Sequence, residues 1–166
     1  MKKIIQYLLF LFSGILIAQQ TATSAVLIEK ALKEKEILEK TSLVKNVNFT
    51  NIGPTIMSGR VADIDVNPNN TMEFYVGYAS GGLWYTKNNG TTFTPVLDSS
   101  ATQNVGDIAI DWSSGTIWVG TGEKNSSRSS YAGIGVLKSI DKGKTWNNVG
   151  LLDSHHISRI LINPKN

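Results

Sequence analysis

From Val61 onward the chain repeats itself, and a repeat of this length restricts the fold more than any other feature. Asn104-Val-Gly-Asp-Ile-Ala-Ile-Asp-Trp112 matches the strand-like run Val61-Ala-Asp-Ile-Asp-Val66, with Ile108 answering Ile64 at an offset of 44. Phe74-Tyr-Val-Gly77 matches Ile117-Trp-Val-Gly120 at an offset of 43. Gly82 to Gly90 matches Gly135 to Gly143 at an offset of 53. The jump from 43 to 53 places an insertion of about ten residues between Gly122 and Ala132, because extra length goes to loops. A third copy opens at His156-Ile-Ser-Arg-Ile-Leu-Ile-Asn-Pro164, where Ile160 takes the place of Ile64.

Within each unit, short runs of Val, Ile, Tyr and Trp alternate with Gly, Asn, Ser and Thr, the pattern of short antiparallel strands. In the first unit the strands are expected at 61–66, 73–77, 82–86 and 91–96, four within about 40 residues. Four strands per 40–50-residue period define a β-propeller blade. The fold class expected is therefore all-β: two full blades, at about 59–98 and 104–151, and the first strand of a third from about 156. A closed ring takes at least about four blades. The chain is accordingly expected to be the N-terminal piece of a longer protein, since Ile160-Leu-Ile162 would otherwise form an open apolar edge.

The residues before the repeats read differently. Met1-Lys2-Lys3 followed by the apolar run Ile4–Ile17 and the exit Ala18-Gln19 has the layout of a bacterial secretory signal, residues 1–18. The run is shorter than the roughly 20 residues a spanning helix requires. The expected location is thus secreted or cell-envelope, with no membrane span after cleavage. Residues 19–50 form a lead-in segment without Gly or Pro, whose centre predicts an amphipathic helix with a broad apolar stripe of Leu27, Ala31 and Leu38 with Ile28, Leu32 and Ile37 nearby. Sixteen basic and thirteen acidic residues give +3, or about +1 once Lys2 and Lys3 are removed. So weak a balance, with no clustered basic face, excludes nucleic acid as the expected partner. No residue is Cys, which excludes a disulfide framework, a thiolate metal site and a cysteine nucleophile.

Ser139-Ile-Asp-Lys-Gly-Lys-Thr-Trp146 fits the Asp-box pattern S-x-D-x-G-x-T-W, its structural positions being Ser139, Asp141, Gly143, Thr145 and Trp146. Thr86 to Phe93 is a degenerate copy with Asn88, Gly90 and Phe93 at the matching places. In such a turn Asp or Asn accepts backbone N–H bonds, Gly supplies positive φ, and the aromatic closes over the hairpin. With Asn51-Ile-Gly-Pro54, Ser58-Gly-Arg60, Ala79-Ser-Gly-Gly-Leu-Trp84, Val119-Gly-Thr-Gly-Glu123 and Ser154-His-His-Ile157, the chain resembles sortilin-type (vacuolar sorting receptor) propellers and their exported bacterial relatives. Those relatives are often labelled glycosyl hydrolases or sialidase-repeat proteins.

The resemblance implies a place to look for catalysis. Xyloglucan-cleaving propellers carry a catalytic Asp just before a Gly-Gly pair, and the matching position in this chain is Ala79. The Arg-Ile-Pro start of the sialidase pattern is absent after Arg60 and after Arg159. Glycoside hydrolysis calls for two carboxylates flanking the bond. The local candidates are Glu123 and Asp63. The binding candidates are Arg60 and, in the inserted loop, Glu123, Asn125, Arg128 and Tyr131. Arg60 and Asp63 are expected to pair with each other between blades. His155-His156 has no third ligand at a recognisable spacing, so no metal and no cofactor are expected. The functional expectation is an exported propeller, a binding or scaffold protein that recognises a protein or polysaccharide through rim loops and channel. The alternative is a glycoside hydrolase of xyloglucanase or sialidase type whose carboxylates lie beyond residue 166.

Overall fold

The computed structural model describes residues 22–49, 59–125 and 130–163. The signal segment, the Asn51–Pro54 motif, Ser58 and Arg128 lie outside the described residues. One helix, α1 (Ala25–Thr41), precedes eight strands: β1 (Val61–Val66), β2 (Phe74–Tyr78), β3 (Gly82–Thr86), β4 (Thr94–Pro95), β5 (Val105–Asp111), β6 (Thr116–Thr121), β7 (Val136–Ser139) and β8 (Asn147–Asn148). They form two four-stranded antiparallel sheets in the orders β1-β2-β3-β4 and β5-β6-β7-β8. Each sheet is a meander in chain order, as a propeller blade requires. Ile64 pairs with Val76 and Ile108 with Val119, so the registers match across the repeat, including a bulge near the start of each first strand.

The fourth strands are shorter than the alternation of 91–96 suggests, with only Thr94–Pro95 joining the first ladder. The preceding residues are committed to a turn instead. Thr86 Oγ1 accepts the amide of Gly90 at 3.0 Å, and Asn88 Oδ1 accepts that of Thr92 at 2.9 Å. The second sheet repeats the scheme: Ser139 Oγ accepts from Gly143 at 2.9 Å and Asp141 Oδ1 from Thr145 at 2.9 Å. The turns need φ near +78° at Gly90 and +87° at Gly143, a region where glycine pays no Cβ penalty. The closing aromatics differ. Phe93 packs edge-on to Phe74 within its own sheet, with ring centroids 6.0 Å apart. Trp146 instead donates its indole N–H to the Val96 carbonyl of the preceding sheet at 2.8 Å, so this turn joins two blades rather than only closing itself.

The two sheets pack face to face. Tyr75, Leu83 and Leu97 of the first meet Val105, Ile108, Ile117, Val119 and Leu137 of the second in one buried cluster. The approach depends on Gly77, where a Cβ would stand 2.9 Å from Val105 and 3.3 Å from Ile108. Ile108 and Ile110 direct their N–H groups away from β6, because β5 is an edge strand whose outward donors fall on alternate residues. Side chains of β1 meet them: Asp63 Oδ2 accepts from Ile108 at 3.1 Å and Asp65 Oδ2 from Ile110 at 2.9 Å. Asp65 Oδ1 also takes the indole N–H of Trp112 at 2.7 Å.

The third copy occupies the corresponding place on the second sheet. Asp107 Oδ2 accepts from Ile160 at 2.7 Å, and a Cβ on Gly120 would press on Ile157 and stand 3.2 Å from Ile160. Residues 155–163 adopt no regular strand, and among the described residues no neighbour pairs with them in a ladder. They are held to the second blade crosswise, through side-chain and loop bonds such as Ile157 N to the Thr121 carbonyl at 3.0 Å.

α1 lies along the outer edge of the blades, tied by its first amide to Asp153 at 3.0 Å and by Lys35 to the Ser99 carbonyl at 3.4 Å. Only one side of the expected broad stripe is covered. Ile28 is buried and Leu32 half-buried, while Leu27 and Leu38 are 58% and 66% exposed. The wide apolar arc offers two nearly equivalent faces, and contacts with the blade edge select the Ile28 side.

Two outcomes test this arrangement. Asp63→Ala deprives the buried Ile108 amide of its acceptor and is expected to cost about 1–3 kcal/mol, whereas Asp63→Asn keeps an acceptor and costs less; urea unfolding of both variants measures the difference. The second concerns pH. The Thr145 hydroxyl, then the Thr145 amide and Ser139 hydroxyl, hold the Asp141 carboxyl down at about 2 against an ordinary 3.8. Because the folded value is the lower one, the stabilisation is complete above 3.8 and is lost as pH falls through about 2. Hydrogen exchange at Thr145 should accelerate over that window, while Thr92, bonded to the non-titrating Asn88, keeps its protection.

Candidate functional site

The polar side chains singled out in the sequence gather at the end of the blades where β1 begins and β6 ends. The chain leaves β6 through Gly122, whose φ of +87° and lack of Cβ allow it to pass beside the His155 carbonyl. Gly122 N bonds the Asn104 carbonyl and Glu123 N the Tyr131 carbonyl, each at 3.0 Å, so the inserted loop is closed at its base. This closure turns the Glu123 side chain inward, where it is fully covered.

Glu123 meets Arg60 from the first blade. Arg60 Nε and Nη2 donate to the two carboxylate oxygens at 2.8 and 2.5 Å, a fork that fixes both groups. The expected pairing of Arg60 with Asp63 is therefore corrected. Asp63 follows the strand pleat towards β5 and spends its oxygens on the amides of Ile64 and Ile108, while Arg60 precedes the strand and reaches across to the Glu123 loop. The Arg60 side chain remains 46% exposed above the buried carboxylate.

A second ion pair, not anticipated from the sequence, lies beside the first. Lys124 Nζ donates to Asp107 Oδ1 at 2.7 Å and to the Ser158 carbonyl at 3.4 Å. Asp107 is 1% exposed, and its other oxygen holds Ile160. Its signal was present in the repeat, since Asp107 stands to Ile108 as Asp63 stands to Ile64. Burying such a carboxylate is costly unless both oxygens find donors, and here both do.

The remaining candidates separate. Asn125 is exposed and beyond the ion pairs, and Tyr131 exposes 43% of its surface beside the Glu123 loop. His155 contributes its backbone carbonyl to Gly133 at 2.7 Å, and His156 is exposed. Ala79, at the position matching the glycosidase Asp, is 0% exposed and bonds the Arg60 carbonyl through its amide at 2.8 Å. Chemically, Glu123 is closed to a substrate, and Asp63, half-buried, has each oxygen engaged by a backbone amide. What remains exposed is part of the Arg60 side chain and of the Tyr131 ring, groups that suit recognition.

No model of a known protein family matches the chain, and no curated protein sequence matches it. Among solved structures, a GH74 enzyme from Niastella koreensis is 24% identical over 56% of this chain and 14% of its own, with a TM-score of 0.42. The GH74 xyloglucanase from Xanthomonas campestris is 16% identical over 53% of this chain and 15% of its own, with a TM-score of 0.40. An ancestral GH74 enzyme gives 22%, 56%, 13% and 0.43. The chain thus spans about one seventh of the structures it is similar to. The blade assignment rests on the order and register of its own two sheets.

Proposed function

We propose that the chain is part of an exported β-propeller of the sortilin-type, Asp-box-bearing kind, which binds a protein or polysaccharide through its rim without cleaving it. The reading includes removal of residues 1–18 as a signal and further blades that complete a ring beyond the third inner segment. The observation that carries it is the state of Glu123: its side chain is fully covered and both its oxygens are taken by Arg60. A general acid must present its proton to the leaving oxygen, and a base or nucleophile must reach the sugar. Glu123 does neither without breaking the fork, and Asp63 is engaged by two backbone amides. The exposed edge of Arg60 and the Tyr131 ring supply the contacts, a cation for polar groups and an aromatic face for stacking.

Purified protein incubated with xyloglucan and other β-glucans is expected to release no reducing ends, while calorimetric titration against glycans and candidate protein ligands detects binding. Tyr131→Ala should weaken that binding about tenfold, the loss of one aromatic contact. Robust turnover that disappears in Glu123→Gln would replace this reading with the glycosidase one.

A further inference from the structure

At the end of the blades opposite Arg60 and Glu123, a cavity of about 200 Å³ opens between the two sheets. Tyr75 and Tyr85 of the first sheet and Trp112, after β5 of the second, line it together with Glu73, Gly115 and Lys142. The rings form a tilted row, with Tyr75 4.8 Å from Tyr85 at 36° and 5.4 Å from Trp112 at 48° between ring centroids and planes. Glu73 accepts the Tyr85 hydroxyl at one oxygen and the Asn67 amide, at 2.8 Å, at the other. Both donors are neutral. Among the described residues Glu73 makes no ion pair, which sets it apart from Glu123 and Asp107.

We infer that this cavity is a binding site for a small organic cation, an alkylammonium group held between the Glu73 carboxylate and the Tyr75, Tyr85 and Trp112 rings. Each carboxylate oxygen carries two acceptor positions and has spent one, so Glu73 can take a further donor without giving up Tyr85 or Asn67. Ring faces attract cations through their negative quadrupole, most strongly where water is excluded. The rings are fixed before any ligand arrives: Trp112 by its bond to Asp65 at 2.7 Å, Tyr85 by Glu73, and Tyr75 by burial to 5% exposure. Burial first and the Glu73 charge second push the Tyr75 phenol up to about 12. The Tyr85 phenol is raised further by the same causes and its bond to Glu73, so both rings stay neutral at physiological pH. The one unfavourable neighbour is Lys142, whose stem lies against Gly115 and whose ammonium makes no ion pair among the described residues. Its charge at the mouth opposes entry of another cation.

The test is a titration of ¹⁵N-labelled protein with trimethylammonium chloride against sodium chloride at equal ionic strength, with tert-butanol and glucose as uncharged controls. The expected result is a saturable shift of the Trp112 indole N–H and the amides of Ile110 and Gly115, produced only by the cation. Glu73→Gln should weaken it about tenfold, and Lys142→Ala, at an exposed site, should strengthen it about threefold. No saturable shift, equal shifts from tert-butanol or glucose, or weaker binding in Lys142→Ala would overturn the assignment. If Glu73→Gln does not fold, the Lys142→Ala comparison decides.

Discussion

The contact on which the arrangement depends is a carboxylate bonded to a neighbouring strand's edge. Each blade begins with an innermost strand that pairs on one side only, and such an edge presents unsatisfied N–H groups. β1 covers the edge of β5 with Asp63 and Asp65, and β5 treats the next segment the same way, Asp107 receiving Ile160. These bonds are directional, so they fix the height of one blade against the next as well as their separation. The glycines at 77 and 120 then let Ile108 and Ile160 approach, since a Cβ at either place would crowd them. A polar bond and an apolar seat specify the same register twice.

This explains why the third copy keeps its place without a sheet of its own. Residues 157–160 are bonded to Asp107 and Thr121 and pack on Gly120, the contacts an inner strand makes with the blade before it. Blade-to-blade bonds are thus independent of the ladder within a blade, consistent with stability in repeat folds being carried by neighbour interfaces. The rule also has a visible exception. Where Asp63 and Asp107 stand in the first two copies, the third has Arg159, which is a donor and takes no edge amide.

Much of this was legible in the sequence. The offsets of the repeat located β1–β3 and β5–β7 closely, because alternation and turn residues are local signals. The extent of the fourth strands and the side of α1's broad arc that is covered were not, for two physical reasons. At Thr86–Thr92 side-chain-to-backbone bonds compete with the ladder and shorten it. In α1, Leu27 and Ile28 are neighbours on a broad arc, and only the blade edge decides which is buried. At the site, the sequence pattern puts Arg60 and Asp63 at the start of an inner strand and Glu123 in the inserted loop, but it does not reveal their partners. The reach of Arg60 to residue 123 depends on how an inserted loop closes, which no local pattern encodes. Asp107 and Glu73 went unremarked, although the first could have been found by carrying Asp63 forward along the repeat.

The two ends of the blades use their carboxylates differently, and the difference follows from what surrounds them. Glu123 and Asp107 are buried with cations, a combination that neutralises charge and leaves geometry as the product. Glu73 is bonded by neutral donors beside aromatic rings, and Lys142, which lines the same cavity, makes no ion pair with it among the described residues. A paired carboxylate stiffens the rim, on which the more exposed Arg60 and Tyr131 stand; an unpaired one leaves a field in a cavity. The two kinds of residue stand at opposite ends of the strands, Glu73 just before β2 and Glu123 just after β6. Which role each takes is set by a single neighbouring choice, Arg60 facing one carboxylate and Tyr85 facing the other.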